Sequence, residues 1–256
     1  MIKKILNLFR HQYTIQELRM YMEKNADIVK RNIPNNCKIL IIDDDIEDPH
    51  KYPESFINDI TCLRSQRNYN ITTKTDLDSI TDAEGYDIII CDQEGVGLKI
   101  KGRNGDGILL LKELKLKYPH KVYALCSSVK FSLSKMRRLD PSIMKWDKGE
   151  MNNQAENYGE DGLSENIELA INKFADPTRY WSELRSKMID SDISIHEIAR
   201  LESSYVKSII KNNVMIYNNE IDSALYSSNK SGYSINDYIQ SASSVINTTL
   251  SLLSLI

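Results

Sequence analysis

KILIIDDD, Lys38 to Asp45, drives a short apolar run straight into three consecutive carboxylates. The run Ile39 to Ile42 fits a strand buried on both faces, as in a parallel sheet covered by helices. Its length alone also fits a helix segment. Three adjacent aspartates, however, repel one another and disfavour a helix interior, so the strand is expected to end there. The carboxylates then stand at the carboxyl edge of the sheet, where open α/β sheets bind ligands. Alternation leaves two registers for which of Asp43, Asp44 and Asp45 face a shared site.

Outward from this stretch, apolar runs and helical patterns alternate. A helix is expected over Glu54–Arg67, a strand over Ile71–Thr75 and a helical turn over Asp76–Glu84. The run Tyr86–Cys91 ends in Asp92. A glycine-containing loop, Gly95 to Gly107, leads into an amphipathic helix, Ile108–Tyr118. The strand Val122–Cys126 ends in Ser127-Ser128, and a short helix is expected near 131–139. Ile143–Trp146 forms the last strand, ending at Asp147-Lys148-Gly149, and Leu163–Phe174 the closing helix. Strands alternating with helices imply a parallel sheet wrapped by helices. The fold class is therefore α/β, a five-stranded doubly wound parallel sheet of order 2-1-3-4-5.

Both flanks read as helical. Thr14 and Glu17 have capping-box spacing, so the first 33 residues divide into two helices with a break near Gln12–Thr14. Pro34-Asn35-Asn36 is expected to break the second. After Pro177, apolar residues recur at helical spacing to the end of the chain. The division expected is an N-terminal helical arm (1–36), the α/β domain (37–176) and an all-helical C-terminal domain (177–256).

With 256 residues, 41% hydrophobic and 27% charged, the chain is long enough for one good core and a second helical unit. A net charge of −3 exerts no global pull toward nucleic acid or anionic membrane. Four cysteines occur without a C-x-x-C pair; Cys91 and Cys126 lie inside apolar runs and read as small core residues in a reducing compartment. No membrane-length apolar run of about 18 residues occurs, so no membrane span is expected and the location is read as cytoplasmic. Ser194–Arg200 followed by Val206 and Ile209 faintly resembles a helix-turn-helix. Seven basic against eight acidic residues from 177 onward deny it a basic face, which makes DNA an unfavoured partner. Protein contacts or a homodimer through the helices are the favoured use of that domain.

In a 2-1-3-4-5 sheet the ends of strands one, three, four and five cluster. They carry Asp43-Asp44-Asp45, Asp92, Ser127 and Lys148. A carboxylate cluster repels itself, and a hard cation such as Mg²⁺ relieves that repulsion. An aspartate so placed can act as a nucleophile toward a phosphoryl group, whose oxygens Lys148 and Ser127 would neutralise and bind. Each group also has a plainer reading. The aspartates could be a solvated loop, Ser127 an ordinary loop serine, and Lys148 a surface lysine in the charged stretch Lys145–Glu150.

With these residues in this order, 38–176 resembles a response-regulator receiver domain, the phospho-acceptor module of two-component signalling. Asp106-Gly107 opening the helix DGILLLKEL also resembles that family. The resemblance implies a flavodoxin-like fold, phosphorylation of Asp92, and Mg²⁺ held by Asp43, Asp44, Asp92 and Glu94. It implies that Ser127 and Lys148 bind the phosphoryl group, and that a sensor histidine kinase or phosphotransfer protein donates it. The chain departs from the family pattern with Gln93-Glu94-Gly95-Val96-Gly97 in place of Met-Pro. A longer loop carries Lys99, Lys101 and Arg103, Gly149 replaces the proline after the lysine, and Lys145 takes the aromatic switch position. Three alternatives follow: a degenerate receiver that binds partners without accepting phosphate, a haloacid-dehalogenase-type phosphatase built on Asp43 and Asp45, and a transcription factor.

Overall fold

A computed structural model describes residues 12–48, 50–102, 105–127, 139–152, 162–225 and 233–254. They form two compact units. One runs from Val29 to Asp176; the other joins the residues up to Ile28 with those from Pro177 on. The expected separate N-terminal arm is thus divided between the two, and the boundary falls inside one helix, Ala26–Asn36.

The α/β unit holds strands β1 (Lys38–Ile42), β2 (Asn70–Lys74), β3 (Ile88–Asp92), β4 (Val122–Ser127) and β5 (Met144–Asp147). All pair in parallel, in the order β2-β1-β3-β4-β5. The doubly wound sheet read from the sequence is therefore present. Burial follows position in the sheet. Ile39 to Ile42, all of β3 and all of β4 are buried, whereas edge strand β2 keeps Thr72 to Lys74 half-buried.

Leu40, Ile42, Ile89, Cys91, Tyr123 and Leu125 share one sheet face with Leu110, Leu111 and Leu114. The three leucines belong to helix Gly107–Lys117. Helix Gly162–Ala175 also packs on β3 and β4 and meets helix Glu54–Ser65. Each fully buried Ile or Leu contributes about 1.5–3 kcal/mol, so the two-sided burial of β1 and β3 fixes the register of the aspartates that follow them. The helix expected near 131–139 lies outside the described residues, as do Ser128 and Arg103.

Two local expectations need correction. Pro34 does not break its helix, which continues to Asn36. Proline lacks the amide that would reach the Lys30 carbonyl and its ring crowds that carbonyl, so the helix carries this cost and ends two residues later. A break not foreseen falls at Asn25, between helices Ile15–Lys24 and Ala26–Asn36.

The helical unit packs Ile15–Lys24 with Pro177–Asp190, Ile195–Ile210, Met215–Leu225 and Tyr233–Leu253. The Thr14/Glu17 capping box is formed, and Leu18 is fully buried. The core is rich in aromatic rings, several of whose polar tips are paired. Tyr180 donates to the Tyr238 carbonyl at 2.6 Å, Tyr205 to that of Pro177 at 2.9 Å, and Trp181 to Glu202 at 2.9 Å. Such pairing is what allows large amphipathic rings to be buried. Ile195–Ile210 is one continuous helix through Ser203-Ser204, so the turn of a helix-turn-helix is absent there. Among the described residues no helix is long and apolar enough to cross a membrane.

Candidate functional site

Four strand ends build the site. β1 delivers Asp43, whose amide donates to the Lys74 carbonyl at 3.0 Å, continuing the ladder one residue past the strand. β3 ends on Asp92, and two backbone bonds fix that end. The Gln93 amide donates to the Cys126 carbonyl at 2.9 Å, and the Gly107 amide to the Gln93 carbonyl at 2.8 Å. Asp106-Gly107 explains the close approach. The Asp106 carboxylate caps the helix by accepting from the Leu109 amide at 2.8 Å. A Cβ on Gly107 would lie 1.8 Å from the Asp92 carbonyl oxygen, so only glycine fits there unless the backbone moves. β5 delivers Lys148, after which Asp147 turns the chain by accepting from the Gly149 amide at 2.8 Å.

The expected residues meet. Asp43, Asp44 and Asp92 each offer a carboxylate oxygen, and all three oxygens lie within 4.8 Å of one another. The Lys148 ammonium sits 2.7 Å from Asp43 Oδ2 and 2.9 Å from Asp92 Oδ1, with only 13% of its side chain exposed. The surface-lysine reading of Lys148 therefore fails. Ser127 is buried at the end of β4, one residue past Cys126, the ladder partner of Asp92.

Two acidic residues stand apart from this group. Glu94 is exposed, and its carboxylate is not one of the converging oxygens; it follows Asp92 by two residues, beyond the end of β3. Asp45 pairs with Lys51 at 3.0 Å. Of the two registers left open, the structure takes the one in which Asp43 is buried and Asp44 is exposed beside it. The Asp43/Asp45 pair required by a dehalogenase-type phosphatase is not the pair brought to the rim.

The electrostatics follow from three carboxylates sharing one ammonium. Burial raises the Asp92 carboxyl above its ordinary value; Lys148 pulls it down, and Asp43 pushes it up again. Asp44 is raised by partial burial and by repulsion from Asp45 and Asp43. Burial works against the Lys148 ammonium, but Asp43 and Asp92 outweigh it and hold the lysine firmly charged. The donor set suits a hard divalent cation. It is all oxygen, it carries more negative charge than Lys148 neutralises, and exposed Asp44 leaves an open side for water ligands.

Sequence reasoning missed several contributors. Tyr52, 5% exposed, packs edge-on against Phe56 at 5.9 Å, and its hydroxyl is pushed up by burial and by the charges of Asp43 and Asp92. Cys126 lines the same region as a buried neutral thiol, and all four cysteines are free. Gly95 lies against Asp44, and Asp76 holds the loop that carries Gly95. The Gly95-x-Gly97 spacing was the available signal, since both glycines take positive φ. Lys99 and Lys101 pair with Asp78 and Glu113. No protein-family model matches this chain, and no curated protein is significantly similar to it.

Proposed function

We propose that the α/β unit is a receiver-type signalling module that accepts a phosphoryl group on Asp92. The observation that carries this reading is the convergence of three carboxylates and one half-buried lysine at the carboxyl rim of a 2-1-3-4-5 sheet. Asp43, Asp44 and Asp92 would hold a divalent cation, Mg²⁺ by preference, which when bound offsets negative charge on the rim and on the incoming phosphoryl oxygens. An Asp92 oxygen attacks phosphorus in a phosphohistidine or acyl phosphate. The new O–P bond forms as the bond to the donor's nitrogen or oxygen breaks, and the leaving group keeps the electron pair. Lys148 exchanges its bridge for a contact with the phosphoryl oxygens, and the Ser127 hydroxyl donates to another of them. The donor would be a sensor histidine kinase or phosphotransfer protein, with output through protein contacts of the helical regions.

Acetyl phosphate with Mg²⁺, followed by intact mass, tests the proposal. The expected result is one hydroxylamine-labile phosphoryl adduct that requires Mg²⁺ and is lost in Asp92→Ala. No adduct, or an adduct that survives Asp92→Ala, rejects it. One observation favours a second reading, a receiver that never accepts phosphate. Lys148 pairs with Asp43 and Asp92 at once and so neutralises much of the rim from within. The same mass measurement separates the two.

A further inference from the structure

Asp44 poses a problem of position. It is exposed, and both neighbouring aspartates repel it. Among the described residues no side chain is seen to donate to its carboxylate. Yet its oxygen lies with those of Asp43 and Asp92. What meets the carboxylate is Gly95. A Cβ built on Gly95 would lie 2.0 Å from Asp44 Oδ2, 2.1 Å from its Cγ and 2.3 Å from Oδ1. The carboxylate therefore rests on the bare Cα of Gly95, whose φ of +73° also favours glycine.

Gly95 belongs to the loop between Asp92 and Gly107, which Asp76 clasps. Asp76 Oδ1 accepts from the Gly97 amide at 2.7 Å and from its own neighbour Leu77 at 2.8 Å, while Oδ2 accepts from the Lys99 amide at 3.1 Å. Between the two glycines, Val96 is fully buried in the same core cluster as Leu77. Three amide bonds to one carboxylate are charge-assisted and set direction as well as distance. By contrast, the second tie between these loops, Lys99 to Asp78 at 2.8 Å, joins side chains 54% and 78% exposed. Exposed pairs of that kind hold little.

We infer that Asp76 is a positioning residue for the cation site: by clasping the amides of Gly97 and Lys99 it holds Gly95 against Asp44 and so places the Asp44 carboxylate for binding. Asp76 touches neither the ion nor the phosphoryl group. The inference rests on the phospho-acceptor reading of the rim, and it adds the residue that sets how tightly the rim takes its ion.

Calorimetric titration of the full chain with Mg²⁺ tests it, alongside melting in EDTA. Residues that orient metal ligands typically change affinity by about 10–100-fold when removed, so Asp76→Ala is expected to weaken Mg²⁺ binding about tenfold. Asp76→Asn, which keeps one acceptor oxygen, recovers part of that loss. Asp78→Ala leaves affinity within about twofold of wild type. Gly95→Ala loses as much as Asp76→Ala, and the double variant loses little more than either, because both act through one contact. Wild-type affinity in Asp76→Ala, or an equal loss in Asp78→Ala, overturns the inference. If Asp76→Ala melts too low to assay, Asp76→Asn decides: about threefold weakening supports the clasp and wild-type affinity refutes it. Failure of the wild-type chain to bind Mg²⁺ is a different result, which removes the reading of the rim and this inference with it.

Discussion

Two lysines, Lys121 buried and Lys148 half-buried, stand at opposite edges of the same sheet. Lys121 precedes β4 at the amino edge and is 4% exposed; its ammonium donates to the carbonyls of Ala83 at 3.1 Å, Glu84 at 2.5 Å and Tyr86, and lies 4.9 Å from the Tyr118 ring centre. Lys148 follows β5 at the carboxyl edge and meets two carboxylates. Lys121 is held by neutral carbonyls fixed by the backbone, so that lysine is a strut. Carboxylates are ligands for which an ammonium and a metal ion compete, so Lys148 can exchange its contacts. One sheet thus uses the same side chain for architecture at one end and, on our reading, for chemistry at the other.

The largest expected effect comes from breaking the exchangeable end. Lys148→Ala leaves Asp43 and Asp92 without their counter-charge and should cost about 3 kcal/mol of stability in EDTA. Mg²⁺ should restore much of that loss, since an ion that binds only the folded chain stabilises it by mass action. Urea unfolding with and without Mg²⁺ measures both. A loss that Mg²⁺ leaves unchanged would make Lys148 a second strut.

Lys121→Met removes the strut while keeping most of its stem. Stranding buried carbonyls should cost about 2 kcal/mol, with no recovery in Mg²⁺. Lys121 also carries a pH signature. Burial pushes its pKa down to about 8, from the ordinary 10.5, against the opposing pull of Asp87 and Glu84. Between those values the unfolded chain binds more protons than the folded one, so this lysine makes stability rise with pH across that window. Comparing urea midpoints at the two ends of the window, the wild type should gain relative to Lys121→Met. Parallel midpoints would show that Lys121 titrates normally.

These two lysines also show what the sequence made legible. The sheet could be read because Ile39–Ile42 and Ile88–Cys91 are apolar runs too continuous for a half-exposed strand, and each ends on a carboxylate. Asp43, Asp92 and Lys148 were found because position at a strand end is a property of local sequence. Lys121 was not singled out, since its partners are backbone carbonyls and carbonyls have no sequence signature. Asp76 escaped for a related reason: the role we infer for it depends on where a loop folds back, and pattern along the chain does not encode that. Which aspartates meet at the rim needed the sheet's register: the structure brings buried Asp43 together with exposed Asp44 and pairs Asp45 with Lys51. The division of the N-terminal segment was hidden because its two described helices, Ile15–Lys24 and Ala26–Asn36, have similar amphipathic patterns, yet the first packs in the helical unit and most of the second belongs with the sheet.

The measurement that bears most directly on the central claim is a crystal structure of the full chain with Mg²⁺ and beryllium fluoride, a mimic of an aspartyl phosphate. The expected result is the mimic bonded to an Asp92 oxygen, the ion on Asp43, Asp44 and Asp92, and Lys148 moved from its carboxylate bridge to a fluorine of the mimic. A rim without ion or mimic, with Lys148 still spanning Asp43 and Asp92, would contradict it.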